Sequence, residues 1–342
     1  MPIEKPVIAI TMGDASGIGP EIIAKVLSMG KAYDCCRPFV VGDPEVMRQA
    51  SRVAGTELRV RQIGDLSEAR FSFSEMDVLC PEGVQVHEIR WGRLDPAMGR
   101  AAALCLEAAF KMALDKEVDG VVSAPLNKEA FHRAGYNYLD ELEYLAELTE
   151  SAEPFTMGVI DSVWTVAVTS HVPFRDIAAM IKKDRVVRYL CLMNDTLRKI
   201  GVQEPMIAVA ALNVHGGEGG LCGREEVDEI IPAIEEARKL GLRVEGPFPG
   251  DTLFLRVMDG GFAGVVCMYH DQANIARKLL ARRKGATLLM GLPVPVGTTA
   301  HGTAFDIAGK GIADPGSLSD ALRYTAKLCS HGEQGVKQGV TH

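Results

Sequence analysis

Three histidines that each follow a short apolar run carry the clearest chemistry in the sequence. They end the segments Thr169-Ser170-His171, Asn213-Val214-His215 and Tyr269-His270-Asp271. Neutral imidazole suits zinc and other first-row divalent ions, and three imidazoles leave a coordination position open for substrate or water. We therefore predict that His171, His215 and His270 bind one divalent ion. The alternative is three unrelated histidines that cap strands, since separations of 44 and 55 residues define no local motif.

Two aspartates and a lysine accompany these histidines. Asp271 adjoins His270, and Asp251 lies in the turn Pro249-Gly250-Asp251, so both are candidate partners for a metal-binding imidazole. Lys278 follows His270 by eight residues, or about two helical turns. It would share the face of His270 on a helix that begins after Asp271. The alternative is an ordinary exposed lysine.

Two glycine-rich turns could bring the backbone close to a ligand. Gly13 to Pro20 lies between a predicted strand and a predicted helix, where N–H groups and the helix dipole favour an anion. The segment from Asn213 to Gly223 contains several glycines that permit close approach. Neither turn is a G-x-G-x-x-G fingerprint, and the chain contains none. Turns that bind no ligand are the alternative interpretation.

The elements that must position these residues form an α/β pattern. Short β-rich runs alternate with longer helical patterns, which is typical of a mostly parallel sheet covered by helices. The predicted strands are Val7 to Thr11, Pro38 to Val41, Gly120 to Ser123, Thr165 to Thr169, Ile207 to Leu212, Gly264 to Met268 and Ala286 to Met290. The predicted helices are Pro20 to Met29, Arg100 to Asp115, Arg175 to Lys199 in two parts and Glu225 to Leu240. Ligands bind beyond the carboxyl ends of such strands, where the three histidines lie.

The composition excludes several classes of protein. The net charge is -8 in 342 residues and the basic residues are scattered, so no footprint for nucleic acid or an anionic membrane is present. No apolar run approaches the roughly 20 residues that span a bilayer, and the start lacks a signal-peptide pattern. Without a C-x-x-C pair, the eight cysteines are expected to be reduced thiols of a cytoplasmic protein. The run Arg282-Arg283-Lys284 is interpreted as a solvated loop, with an anion-binding patch as the alternative.

Two segments at opposite ends of the chain resemble known signatures. Residues 13–21 (GDASGIGPE) and 301–315 (HGTAFDIAGKGIADP) resemble those of the isocitrate and isopropylmalate dehydrogenase superfamily. Within it, residues 212–220 (LNVHGGEGG) and 268–272 (MYHDQ) are similar to the 4-hydroxythreonine-4-phosphate dehydrogenase family. The resemblance runs nearly end to end.

The resemblance implies a two-lobed α/β fold, an αβα sandwich with a mostly parallel sheet. We expect a first lobe at residues 1–135 plus 300–342 that carries the cofactor loop. A second lobe at residues 136–299 would carry the metal ligands and the dimer interface. The resemblance also implies an obligate homodimer with shared active sites, in which His171, His215 and His270 bind zinc, magnesium or manganese across the interface.

The implied activity is the oxidation of a small hydroxy acid by NAD or NADP. The hydroxyl lies near the carboxylate, and the new carbonyl lets the acid lose carbon dioxide because it accepts the electrons as an enolate. Lys278 and Glu141 are expected to contact the substrate, and Lys278 and Asp251 to act in catalysis. The residues expected to bind the cofactor are His301, Gly302, Thr303 and Asp306.

The substrate positions depart from the family pattern. Family members that oxidise the phosphorylated threonine derivative have His-Thr in place of Glu141 and Leu142, Asn in place of Thr287 and Arg in place of Val296. Losing a guanidinium and gaining a carboxylate weakens phosphate binding. We therefore expect a different hydroxy acid, with Leu142 and Val296 lining an apolar part of the pocket.

Several alternatives stay open from sequence. The substrate could be the cis-dihydrodiol of an aromatic carboxylate such as terephthalate, or a sugar-acid phosphate if Arg282, Arg283 or Lys284 restores an anion site. A metal-dependent hydrolase or lyase could use the same histidines without a redox step. A non-catalytic metabolite-binding protein is disfavoured, because the histidines, Lys278 and the segment at His301 are all present.

Overall fold

The computed structural model describes residues 5–161, 163–281 and 284–332. Its strands are β1 (Val7–Thr11), β2 (Arg37–Val41), β3 (Arg59–Ile63), β4 (Glu75–Leu79), β5 (Gly120–Ser123), β6 (Phe155–Ile160), β7 (Val163–Thr169), β8 (Met206–Ala210), β9 (Arg243–Phe248), β10 (Gly264–Tyr269), β11 (Ala286–Met290) and β12 (Val296–Thr299). Its helices are α1 (Gly19–Ser28), α2 (Ala32–Cys35), α3 (Pro44–Val53), α4 (Pro96–Leu114), α5 (Lys128–Arg133), α6 (Glu141–Leu148), α7 (Ile177–Met180), α8 (Lys183–Lys199), α9 (Ile231–Lys239), α10 (Gly250–Met258), α11 (His270–Ala281) and α12 (Gly316–Gly332). None of these helices is long and apolar enough to cross a membrane.

The described residues form two compact units. The first comprises residues 5–155 and 284–332, and the second comprises residues 156–281. The first unit therefore includes α6, β11 and β12, although residues 136–299 were expected in the second lobe. The pairing of β12 with β5 accounts for this, because it ties the late strands to the middle of the first unit's sheet.

The strands of the first unit follow the order β3-β4-β2-β1-β5-β12-β11. Every neighbouring pair is parallel except β11 with β12. Helices α4 and α12 both pack on β5, and α4 also packs on α5. The predicted α/β class with a mostly parallel sheet is confirmed here.

Two glycines show which face of this sheet α12 covers. A Cβ at Gly120 would collide with Cys329 Sγ and one at Gly297 with Thr325 Oγ1, and both of these side chains belong to α12. Successive strand residues point to opposite faces, so Ser123 and Thr298 face away from α12.

The strands of the second unit follow the order β6-β7-β10-β8-β9. All neighbouring pairs are parallel except β6 with β7. Helices α8 and α11 pack on β7 and β10, and α10 packs on β8. The apolar faces of α10 and α11 meet the sheet in a core that includes Ala208, Leu253 and Cys267, all of them fully buried. This core fixes the strand ends that carry the three histidines.

Candidate active site

His171 and His270 follow adjacent parallel strands of the second unit. Thr169 at the end of β7 pairs with Tyr269 at the end of β10, so the residues that follow leave the sheet at the same edge. The two imidazole centroids lie 6.0 Å apart. Zinc–nitrogen bonds are about 2.1 Å long, so small rotations of the rings would let one ion reach both.

His215 follows β8, the strand on the other side of β10. It lines a cavity of about 480 Å³ together with Asp251, Tyr269 and Asp271. Gln272 ties the two strand ends, because its Oε1 accepts from Met268 N at 2.8 Å and its Nε2 donates to Ala211 O at 2.7 Å. The end of β8 therefore has a fixed position relative to the end of β10.

Two of the histidines have left-handed backbone conformations. The φ angle is 52° at His171 and 50° at His215. A residue with a Cβ is strained in this region, and such strain concentrates at functional sites. Glu226 holds the loop that carries His215, since its buried carboxylate accepts from the N–H groups of Leu212 and Asn213, both at 2.8 Å.

Each of two rings has a carboxylate at Nδ1. His215 Nδ1 lies 2.9 Å from Glu218 Oε1, and His270 Nδ1 lies 2.7 Å from Asp271 Oδ1. Metal-binding histidines use such partners to present Nε2 to the ion, so the donor set suits a divalent cation. The hydrogen bond that His215 donates to Glu218 raises the pKa of His215, and the negative charge of Asp251 adds to this effect.

The three-histidine site stays a prediction. Among the residues that the structure describes, no three His, Cys, Asp or Glu side chains are grouped closely enough to hold a metal ion. Within this one chain the rings of His171 and His270 lie close to each other, and His215 lines a cavity together with Asp271.

Lys278 lies on the helix that begins at His270 itself, one residue before Asp271. Its side chain is exposed.

Sequence reasoning missed Glu218 and Glu226 as partners of the His215 loop. The spacing of three residues between His215 and Glu218 was the available signal for the first of them.

In the first unit the two signature segments meet. Ile18 N donates to Thr303 O at 3.0 Å, and a Cβ on Gly17 would lie 2.9 Å from Thr303 Cβ. Glu21, fully buried, accepts from Ala313 N at 2.8 Å and pairs with Lys25 at the same distance. The turn after β1 thus supports the loop predicted to bind the cofactor.

A buried carboxyl occupies the turn between β1 and α1. Asp14 Oδ1 accepts from Ser16 N at 2.8 Å, whereas Oδ2 has no hydrogen-bond partner among the described residues. Burial raises the pKa of Asp14 to about 6, although the bond from Ser16 acts in the opposite direction. A carboxyl at this position disfavours an anion, so the structure favours a packing role for the turn.

The predicted cofactor residues form a loop between β12 and α12. Gly302 is exposed, and a Cβ built there would have no atom within 4 Å, so its backbone is open to a ligand. His301 Nδ1 lies 3.0 Å from Gly302 O. Thr303 is buried beneath the loop, and Asp306 is exposed. The open backbone at Gly302 fits a dinucleotide that approaches without a Rossmann turn.

Glu141 extends from the start of α6 to the sheet edge of the first unit. Its Oε2 accepts from Ser123 Oγ at 2.7 Å, and the neighbouring Thr298 Oγ1 donates to Ser123 O at 3.1 Å. Loss of solvation raises the pKa of Glu141 to about 7, although both hydroxyls act in the opposite direction. Leu142, the next residue of α6, is buried, and so is Val296 in β12.

The basic run 282–284 is described only in part. Lys284 is exposed, and Arg282 and Arg283 lie outside the described residues.

Comparison with known proteins places the chain in a family. Residues 34–325 match the family described as Pyridoxal phosphate biosynthetic protein PdxA. A D-threonate 4-phosphate dehydrogenase of Cupriavidus necator is 42% identical over 330 residues, covering 95% of this chain and 98% of that protein.

Two solved structures resemble the chain along nearly its whole length. A 4-hydroxythreonine-4-phosphate dehydrogenase from Burkholderia phymatum is 41% identical with a TM-score of 0.80, over 95% of this chain and 98% of that one. A terephthalate 1,2-cis-dihydrodiol dehydrogenase from Burkholderia xenovorans LB400 is 27% identical with a TM-score of 0.63, over 95% of this chain and 98% of that one. The chain belongs to the PdxA family and is an oxidoreductase that acts on a hydroxyl group.

Proposed function

We propose that this chain is a metal-dependent, NAD(P)-linked dehydrogenase that oxidises a hydroxyl group near a carboxylate and so leads to loss of carbon dioxide. The observation that carries the proposal is the pair of rings at adjacent strand ends, His171 and His270, with His215 in the neighbouring cavity. The carboxylates at Nδ1 of His215 and His270 support metal binding through Nε2.

Each group has a defined part in this proposal. The three imidazoles would hold a cation that would supply Lewis acidity at the substrate's oxygen, and a bound nicotinamide would supply the hydride acceptor. The exposed backbone at Gly302 would receive the dinucleotide. Oxidation converts C–H and O–H to C=O, with one hydride to the cofactor and one proton released. Lys278 would offset the negative charge of the carboxylate.

Decarboxylation then needs a hydroxyl at the carbon β to the carboxylate. The carboxylate leaves as carbon dioxide, the bonding electrons form an enolate, and a proton from Lys278 gives the ketone. Asp251 would act in catalysis beside His215, because its negative charge raises the pKa of that histidine. Threonate has a hydroxyl at that β carbon, and the relative from Cupriavidus necator is named for threonate 4-phosphate.

We further propose that two copies of the chain share their active sites. Ile275 and Leu279 lie one turn apart on α11, the helix that begins at His270, and are 60% and 74% exposed. Exposed apolar patches of this kind typically mark an interface. A second copy seated on α11 would cover them next to the proposed metal ligands.

Nicotinamide reduction tests the function. The protein is stripped with a chelator, then assayed with NAD and NADP on 3-hydroxy acids before and after addition of zinc, magnesium or manganese. We expect reduction that requires a metal. Metal-dependent consumption of substrate without reduction would instead support a hydrolase or lyase.

A second candidate substrate is the cis-dihydrodiol of an aromatic carboxylate. The structural likeness to the terephthalate dihydrodiol dehydrogenase favours including it in the assay. Reduction with this diol and not with any aliphatic hydroxy acid would select that activity.

A further inference from the structure

A long irregular segment joins β4 to α4 in the first unit. It covers residues 80–95. Connections of more than about 12–15 residues without a helix or strand are uncommon in compact domains and often functional. Near its end, Arg90 O accepts from Arg93 N at 3.1 Å, which closes a turn around Trp91 and Gly92. Residues 90–93 are called the tryptophan turn below. Neither the predicted metal site nor the predicted cofactor site includes any of them.

The tryptophan turn packs against the loop between β12 and α12, residues 300–315, which carries the predicted cofactor residues and is called the cofactor loop below. A Cβ on Gly92 would collide with the carbonyl oxygen of Phe305. A Cβ on Gly309 would lie 2.6 Å from Trp91 Cγ, on the indole ring. The two segments therefore meet at two points, and neither point has room for a further side chain.

The tryptophan turn is also tied to the turn between β1 and α1. Gly92 N donates to Ser16 O at 2.8 Å. Two residues after Ser16, Ile18 N donates to Thr303 O at 3.0 Å. The three segments therefore support one another, and the cofactor loop is held on both sides of Ala304.

The backbone at Ala304 shows why the cofactor loop needs these contacts. Its φ angle is 42°. An alanine is strained in this left-handed region and stays there only where its surroundings enforce it. Its neighbours Thr303 and Phe305 are the residues that the two turns contact. Gly302, two residues before Ala304, is exposed and has an open backbone, so the strain is maintained beside the position that is predicted to receive the dinucleotide.

We propose that Trp91 is a positioning residue for the dinucleotide, because the tryptophan turn holds the cofactor loop in the conformation that binds NAD or NADP. This inference rests on the proposed dehydrogenase function. Trp91 is half-buried and acts through its contact with Gly309. The apparent affinity for a ligand falls in proportion to the fraction of the protein that is in the binding-competent conformation. Loss of the indole ring should therefore weaken cofactor binding without changing the chemical step.

Isothermal titration calorimetry with NADH and NADPH tests the inference without turnover. Trp91→Ala removes the ring on which Gly309 packs, and a cofactor loop that is competent about a tenth of the time raises the Kd about tenfold. Trp91→Phe keeps an aromatic ring at this position and should restore most of the affinity. Phe73→Ala, at an exposed aromatic residue of the same unit, is the control and should bind as the native protein does. Circular dichroism establishes that the three variants are folded.

Energy transfer gives a second readout, which a purely structural role of Trp91 would not change. Bound NADH emits light when a nearby tryptophan is excited. Saturated with NADH, Trp91→Phe should lose part of this sensitised emission, and the loss belongs to Trp91 because Trp164, the only other tryptophan, is unchanged. An emission per bound NADH equal to that of the native protein would show that the cofactor lies elsewhere and would overturn the inference.

Kinetics separate positioning from catalysis. In Trp91→Ala the KM for the cofactor should rise while kcat at saturating cofactor stays close to the native value, since only the binding of the cofactor is affected. A folded Trp91→Ala variant with native Kd values for both cofactors would overturn the inference and leave the proposed dehydrogenase intact. If the native protein binds neither NADH nor NADPH, the proposed function fails, and this inference fails with it.

Discussion

The strongest residue-level evidence for the proposed metal site is the pairing of imidazole Nδ1 atoms with carboxylates. Glu218 and Asp271 each lie within 3 Å of a ring nitrogen, and His215 and His171 have strained backbone conformations. Neither feature is needed for a histidine that merely caps a strand. The Asp271 partner could be predicted from its position beside His270. For Glu218 the sequence offered only its spacing of three residues from His215, because a left-handed turn brings it to the ring.

Replacement of Glu218 tests the orienting role of this carboxylate. Glu218→Gln should weaken metal binding about 10- to 100-fold, because the ring of His215 loses the partner that fixes its orientation and raises its basicity. Competition with a chromogenic chelator measures the affinity. Glu235→Gln, at an exposed carboxylate of α9, serves as the control and should bind metal as the native protein does. Equal affinities for the two variants would contradict the pairing.

Asp14 should make the protein less stable as pH rises. Its pKa is about 6 when folded and near 3.8 when unfolded, so between these values the unfolded chain releases a proton that the folded chain retains. The free energy of unfolding therefore falls over this window, and the loss is complete above pH 6. Asp14→Asn removes the effect and should raise the free energy of unfolding at pH 8 by up to about 3 kcal/mol.

Denaturant unfolding of both proteins at several pH values measures this difference. The gain should shrink towards zero below pH 4, where Asp14 is protonated in both states. A gain that does not depend on pH would show that burial of charge at Asp14 is not its cause.

At the level of elements, the turn between β1 and α1 supports the loop from His301 to Thr303. The sequence showed both segments as signatures. It could not show that they touch, because nearly 300 residues separate them and only the sheet brings them together. Contact between Gly17 and Thr303 leaves no room for a side chain.

A methyl group at Gly17 should therefore disturb cofactor binding. Gly17→Ala should raise the KM for NAD or NADP about tenfold or more, because Thr303 and its loop must shift. Initial-rate kinetics with varied cofactor measure the change. Gly64→Ala, where a Cβ would make only an ordinary contact with Glu68, should have no effect. If the KM for NAD or NADP is unchanged in Gly17→Ala as well as in Gly64→Ala, the turn at Gly17 does not affect cofactor binding.

The predictable strands were those with continuous apolar sequence. β1, β5 and β11 have the predicted bounds, because their residues are apolar and bounded by turns. β3 was missed because three of its five residues, RVRQI, are polar and because it lies at the end of the strand order. β12 was missed because Gly297 and two threonines conceal a strand that is buried by neighbours rather than by its own hydrophobicity.

The whole molecule divides differently from the predicted lobes. Helix α6 and strands β11 and β12 belong with the first unit, so Glu141 lies in the same unit as the cofactor loop. Composition gave no linker from which to locate this boundary. Long-range strand pairing sets it, and single-sequence patterns do not encode such pairing.

The proposed dimer makes a prediction at this scale. Leu279→Glu places a charge on the exposed apolar face of α11 and should convert the dimer to a monomer with little activity. Analytical ultracentrifugation gives the mass, and nicotinamide reduction gives the activity. Leu240→Glu, at an exposed leucine that follows α9, should leave both unchanged. A native protein that sediments as a monomer while fully active would contradict shared sites.

Metal content measured by mass spectrometry tests the central claim most directly. The native protein should contain one divalent ion per chain, and His171→Ala, His215→Ala and His270→Ala should each lose it while remaining folded by circular dichroism. Nicotinamide reduction should disappear with the ion. Full metal content in any of these variants, or full activity of the native protein after its metal is removed, would contradict the three-histidine site.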